Sequence, residues 1–364
     1  MSPERVSLAA LRLGTRPSRL AMAQANLIAD SIRANCDRGV TLVQISTPGD
    51  ASSAPITELS TVGVFVSSLR SALLRGEIDV AVHSYKDLPT APHPGLTIAA
   101  VPAREDPRDV LVAGGGKDLL ELTPGSRVGT GSPRRTAQLN ALQLGLEVVG
   151  IRGNVDTRLA AVAAGDFDAV VVARAGLARL GRLAEVTETL DPIQILPAPA
   201  QGALAVECRA DDADVIAVLA ELDDPGSRAT VEAERSLLAA LEAGCTAPVG
   251  ALCELAEGED GPELFLRANV TAIDGSAAVR SSASRSPDQA VELGRLLAAE
   301  LLDLGAEELL GATSAASVPS HATGNSSVPS ISRPNDPGPN DPGPNDPGPI
   351  SSGDFNAVGM RNRQ

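Results

Sequence analysis

Aromatic side chains are nearly missing from this 364-residue chain, which has four Phe, one Tyr and no Trp. Its core must therefore come from Ala, Leu, Val and Ile, in a chain long enough for two or three domains. Lysine is almost as scarce: of thirty basic residues only Lys86 and Lys117 are lysines, so arginine carries nearly all the positive charge. The four cysteines, Cys36, Cys208, Cys245 and Cys253, form no C-x-x-C pair, and the three histidines show no clustered spacing. That argues against a metal site and against a disulfide framework. No apolar run approaches the length of a membrane span although 43% of the residues are hydrophobic, which indicates a soluble globular protein with no membrane partner. The start, "MSPERVSLAALRLG", lacks a basic segment followed by a long apolar stretch, so no secretory signal is read and a cytoplasmic location is expected. A net charge of -16 argues against a duplex nucleic-acid partner, which needs a basic patch, yet leaves room for a local arginine cluster. No G-x-x-x-x-G-K-[ST] occurs and "AGGGKD" (113–118) has the wrong spacing, so neither ATP nor a dinucleotide is supported.

What is present is an alternation. Strand-length apolar runs at 11–13, 41–46, 78–82, 127–130, 147–151 and 168–173 alternate with helix-period segments near 18–34, 64–75, 133–144 and 154–164. That pattern predicts an α/β fold with mainly parallel sheets in two units. "AREDPRDV" (103–110) and "LPAPAQGALAVEC" (196–208) bracket the second unit and read as paired crossings between lobes. After about 226 a helix, three strands and a further helix predict a small α+β domain. From 313 the composition turns to Ser, Pro, Gly and Asn, and "PNDPG" occurs three times in succession from Pro334. Such a tail cannot bury enough apolar surface to order itself. The expected division is 5–103 with 201–222, 104–200, 226–312, and a disordered tail over 313–364.

Three helix starts follow predicted strands and carry arginines. In "TGSPRRTAQL", Ser132 suits the N-cap and Pro133 the first helical position, placing Arg134 and Arg135 in the first turn. Positive charge there opposes the helix dipole unless an anion binds. "IRGNVDTRL" offers Arg152 and Arg158 around a candidate cap at Asn154, and "GTRPSRLA" offers Arg16 and Arg19 around Ser18. The alternative is solvated arginines paired with acids such as Asp156, since exposed pairs are common and weak. Coincidence of three sites favours one anion pocket, and ligands of two-lobed α/β proteins usually sit between the lobes. Cys245, in "LEAGCTAPVG", follows a helix end marked by Gly244 and is placed either to carry a covalent group or to pack as a small hydrophobe. In "VAVHSYKDLP", Lys86 adjoins Asp87 at a strand end, where a surface ion pair is the plainer reading.

Taken together, "RLGTRPSRLAMAQA", "VAVHSYKDLPT", "REDPRD", "VGTGSPRRTAQL", "IRGNVDTRL", "LPAPAQGALAVECR" and "LEAGCTAPVGA" resemble the hydroxymethylbilane synthase (porphobilinogen deaminase) family, from about residue 11 to 310. The resemblance implies two lobes like type II periplasmic binding proteins plus a small third domain. It implies a transferase for tetrapyrrole synthesis that joins four porphobilinogen molecules head to tail into hydroxymethylbilane, releasing ammonia, on a dipyrromethane primer bound through a thioether. A monomer is expected. By matching motifs, Cys245 would carry the primer and Asp87 would be the catalytic carboxylate. Lys86, Ser84, Thr130, Ser132, Arg134, Arg135 and Arg158 would hold the primer's acetates and propionates. Arg16, Ser18, Arg152 and Arg179 would hold incoming substrate, and Gln201, in the hinge motif, is grouped with them.

Two departures from the family pattern stand out. A usual pair of serines is Gly131 and Ser132 here, which removes one hydroxyl, and the lid-like "APITELSTVGVF" before the next helix has no lysine. A competing reading from another class is a two-lobed binder of small polycarboxylates. The lack of an export signal and the motif contexts of Asp87 and Cys245 favour the enzyme.

Overall fold

A computed structural model describes residues 9–36, 38–45, 61–244, 246–259 and 261–316, the side chains of 61–65 and 312–316 excepted. Cys245, the lysine-free loop up to residue 60 and the tail beyond 316 lie outside the described residues.

The first lobe begins with β1 (Leu11–Thr15), α1 (Arg19–Cys36), β2 (Val40–Gln44), α2 (Thr61–Leu74), β3 (Val80–Ser84) and β4 (Leu96–Ala100). The second holds β5 (Asp109–Ala113), β6 (Arg127–Gly129), α3 (Pro133–Ala141), β7 (Glu147–Val149), α4 (Val155–Ala163), β8 (Ala169–Ala173), α5 (Arg174–Arg179) and β9 (Glu188–Thr189). The chain then returns to the first sheet as β10 (Leu204–Arg209), followed by α6 (Ala213–Ala220). The sheets are ordered β2-β1-β3-β10-β4 and β7-β6-β8-β5-β9. Each crossing thus delivers a strand to the fourth place of a sheet, and that strand runs antiparallel to both neighbours. The sheets are therefore mixed rather than mainly parallel. A wholly buried strand carries the same apolar run in either direction, so the local pattern does not encode its sense.

Helix α1 packs on the first sheet because Ala25, Ile28, Ala29 and Ile32 recur at helical spacing and are all buried. They meet Leu11, Leu13, Val80 and Val206 of the sheet. Tyr85 is the one aromatic among the buried hydrophobic residues described, as the composition predicts.

The small third domain comprises α7 (Pro225–Ala240), β11 (Val249–Gly258), β12 (Gly261–Thr271), β13 (Ala278–Arg285), α8 (Ala290–Asp303) and α9 (Ala306–Ala316). Its three strands form an antiparallel sheet in sequence order. Asp224 caps α7 by accepting from Ser227 N, with Pro225 at the first helical position. Gly294 lets α8 lie close on α7, since a Cβ there would be 2.3 Å from Ala233 O. Helix α9 runs to Ala316, so residues 313–316 of the expected tail are helical. No helix among the described residues is long and apolar enough to cross a membrane.

Candidate active site

The apolar run of β3 extends through Ser84, two residues beyond the strand read from the sequence, and its last hydroxyl accepts from Gln24 Nε2 of α1 at 2.9 Å. Tyr85 N donates to Ala203 O, and Tyr85–Asp87 then form a single 3-10 turn closed by Leu88 N to Tyr85 O. Within that turn Lys86 is half-buried and Asp87 is exposed. No hydrogen bond or ion pair engages the Asp87 carboxylate among the described residues.

Behind the turn the two crossings touch. Gly202 has φ +91°, and a Cβ on it would lie 2.2 Å from Glu105 O, so only glycine allows this approach. Ala200 is held at φ +62°. Between them Gln201, almost wholly buried, is a junction: its Oε1 accepts from Lys86 Nζ at 3.0 Å and its Nε2 donates to Asp109 Oδ1 at 2.7 Å and to Pro107 O. Asp109 opens β5 with no exposed surface and accepts from Arg134 Nη2 and Arg135 Nη2, each at 2.8 Å. Lys86 of the first lobe and the arginine pair of the second are thus joined through Gln201 and Asp109.

That network revises the reading of the α3 start. Ser132 occupies the N-cap position but its side chain makes no capping bond, and Arg134 and Arg135 meet an internal anion, Asp109. The helix-dipole conflict is eased from within. Thr130, also buried, accepts from Ser132 N through its hydroxyl at 3.3 Å. The departure at Gly131 has a steric basis, because a Cβ there would lie 2.9 Å from Ile151 O.

Asn154 does cap α4, accepting from Thr157 N at 2.9 Å. Asp156 pairs with Arg19 Nη1 at 2.9 Å and with Arg182, not with Arg152 or Arg158. The Arg19 pair joins the start of α1 to the start of α4. Ser18 Oγ serves the first turn of α1 by accepting from Ala21 N. Arg158 donates to Gly153 O at 3.1 Å. Arg179, at the end of α5, donates to Gly202 O and so reaches the crossing.

Electrostatics follow from this crowding. Burial lowers Lys86 to about 8, and Arg135 adds to the effect. Burial alone would raise the Asp109 carboxyl, but Arg134 and Arg135 override it and hold it well below the usual carboxylate range. Arg158 is lowered by burial and then by Arg135 and Arg152. Lys86, Arg134 and Arg135 therefore crowd around one buried anion, Asp109, and Arg158 stands close enough to Arg135 to be lowered by it. Arg134 Nε and Arg135 Nε are buried without a hydrogen-bond partner. Excess positive charge and orphaned donors suit a ligand bearing several carboxylates, and dipyrromethane with its acetates and propionates fits that requirement.

Sequence reading missed two structural supports. Asp109 was legible only as an acid heading an apolar run in "REDPRDVLVA". Glu234 of α7, fully buried, accepts from both Arg104 Nη atoms, from Ala200 N and from Cys253 N, tying the third domain to both crossings. The remaining cysteines behave as packing residues: Cys208 and Cys253 are buried and burial pushes both thiols up, Cys208 to about 11.

Comparison with known proteins identifies the family. Residues 11–217 match the family model "Porphobilinogen deaminase, dipyromethane cofactor binding domain", and residues 228–303 match "Porphobilinogen deaminase, C-terminal domain". Porphobilinogen deaminase of Nocardia farcinica is 60% identical over 305 residues, 82% of this chain and 88% of that protein. The protein of the same name from Mycobacterium bovis (strain BCG / Pasteur 1173P2) is 60% identical over 305 residues, 98% of its length. Among solved structures, a periplasmic substrate-binding protein of an ABC transporter from Coxiella burnetii aligns at TM-score 0.38 and 14% identity, over 60% of this chain and 94% of that one. With the family's two models covering both lobes and the third domain in order, the chain belongs to the porphobilinogen deaminase family.

Proposed function

We propose that this chain condenses four porphobilinogen molecules head to tail into hydroxymethylbilane, releasing ammonia, on a dipyrromethane primer held by Cys245. One observation carries the assignment of roles: the cations Lys86, Arg134 and Arg135, gathered around the single buried Asp109, adjoin an exposed carboxylate, Asp87, on the turn that supplies Lys86. When bound, the dipyrromethane would supply the free pyrrole carbon to which the first ring is joined, each later ring being joined to the one before it.

The protein's own groups have separate tasks. Lys86, Arg134, Arg135 and Arg158 hold the primer's carboxylates, with Ser84, Thr130 and Ser132 as hydroxyl partners. Arg16, Ser18, Arg152 and Arg179 hold the carboxylates of arriving rings, and Gln201 links the two lobes. Planar guanidiniums suit this work because they meet carboxylates with two parallel hydrogen bonds. Loss of ammonia from porphobilinogen leaves an electron-poor ring, and coupling places positive charge on pyrrole nitrogen before a ring proton leaves. Among so many cations a lone carboxylate is the scarce element, and Asp87 both stabilises that charge and accepts the proton. The same reading includes the lobe division 5–103 with 201–222 and 104–200, a third domain over 226–312, and a monomer working in the cytoplasm.

An aldehyde reagent that colours pyrroles tests the proposal on purified protein. Colour before any substrate is added, and ammonia release on adding porphobilinogen, are expected. A colourless protein that binds porphobilinogen without releasing ammonia would instead be a two-lobed binding protein.

A further inference from the structure

Arg235 lies on α7, the helix that leads toward Cys245, and reaches into the first lobe. Its Nη1 donates to Leu88 O at 3.0 Å and Tyr85 O at 3.3 Å, and its Nη2 donates to Pro89 O at 2.7 Å. Its Cζ stands 4.4 Å from the centre of the Tyr85 ring. One side chain thus gathers three carbonyls of the segment that contains Asp87. That segment needs the help: a 3-10 turn has poor hydrogen-bond geometry, and this one is three residues long. Asp87 has no side-chain partner among the described residues, so only its backbone aims it. Lys86 pins one side of the turn to Gln201 and Arg235 pins the other to the third domain.

We propose that Arg235 is a positioning residue: it fixes the Tyr85–Pro89 backbone that aims Asp87 and keeps that carboxylate in register with the domain carrying the primer. The proposal rests on the reading of Asp87 as the catalytic carboxylate. A guanidinium is required because three carbonyls are met from two nitrogens of one planar fork, while an ammonium is a point charge with a different geometry. Beside it an open groove of about 400 Å³ is lined by Tyr85, Thr90, Glu232, Arg235, Ser236 and Arg295 among others. A small guanidinium ion can therefore reach the space that a truncated side chain leaves.

The test uses holoprotein whose primer is verified by intact mass, in wild type, Arg235→Ala, Arg235→Lys and Asp87→Asn. Both Arg235 variants should lose about tenfold or more in single-turnover rate while KM for porphobilinogen stays within about twofold, as a misaimed group predicts. Millimolar methylguanidinium should restore part of the rate to Arg235→Ala and none to Asp87→Asn. With one Tyr and no Trp in the chain, tyrosine fluorescence reports on Tyr85 alone and should change with loss of the stacked guanidinium and return with methylguanidinium. Wild-type kcat in Arg235→Lys, or a lost rate in Arg235→Ala that methylguanidinium leaves unchanged, overturns the proposal. Should Asp87→Asn keep wild-type turnover, the catalytic reading of Asp87 fails and the positioning role falls with it. An inactive Asp87→Asn beside unimpaired Arg235 variants removes the positioning role alone.

Discussion

Lys86 donates to Gln201 Oε1 at 3.0 Å, and through that amide a first-lobe ammonium is joined to the buried Asp109 of the second. Its neighbour Asp87 remains exposed on the same turn. In a regular strand adjacent side chains point to opposite faces. Here β3 stops at Ser84, and the 3-10 turn sends one charge into the interlobe network and leaves the other at the surface of the site.

Asp87→Asn is expected to keep the fold and a preformed primer, because the carboxylate makes no hydrogen bond or ion pair among the described residues. Turnover should fall by at least about a hundredfold, the usual scale of positioned acid-base help. Single-turnover rates on primer-loaded protein measure this, and near-normal elongation would remove the catalytic role.

Lys86 gives primer uptake a pH dependence of known sign. Its folded value of about 8 lies below the ordinary 10.5, so the ammonium loses its proton as pH rises through about 8. Uptake of primer by apoprotein should weaken across that range. A carboxylate placed beside Lys86 favours the charged form and raises its pKa again, so once primer is loaded the ammonium should stay protonated through the alkaline limb seen in uptake. Lys86→Arg should abolish the limb, since a guanidinium stays charged. For apoprotein stability the unfolded chain binds the extra proton between about 8 and 10.5, so the Lys86 contribution increases with pH across that window. Uptake that is flat with pH in wild type would contradict the burial of the ammonium.

Asp109→Asn would leave Arg134 and Arg135 buried without their shared anion, which typically costs about 3–5 kcal/mol. The Asp109 carboxyl is depressed, so its contribution is present above the unfolded carboxylate pKa and is lost as pH falls through the lowered folded value. Carboxylates of a bound primer would replace part of the missing charge. Calorimetric melting should therefore show a larger loss in apoprotein than in holoprotein. Equal losses in both would separate the arginine pair from primer binding.

Local features were the legible part of this chain. The strand and helix alternation, the Pro-rich crossings and the Asn154 cap are written in neighbouring residues, and the structure places them near where the patterns put them. Strands β4 and β9 were not read, the second because two residues carry no periodicity, and β5 was absorbed into the crossing "AREDPRDV". The direction of β5 and β10 depends on tertiary pairing. The cations were visible at three helix starts, but the anion that pairs with two of them was not, because Asp109 lies 25 and 26 residues away in sequence. Arg235 was invisible for the same reason, with its carbonyl partners about 150 residues upstream. The cap rule marked Ser132 correctly as a position, while the bond it usually makes is absent.

Every role proposed for these residues depends on a covalent dipyrromethane on Cys245 that porphobilinogen extends. Intact-protein mass spectrometry on purified chain, before and after a brief pulse of porphobilinogen, tests it most directly. The wild type should carry one dipyrromethane and then show added steps of one porphobilinogen less ammonia, while Cys245→Ser should show the bare chain throughout. A bare wild-type chain, or the same adduct on Cys245→Ser, would contradict the account.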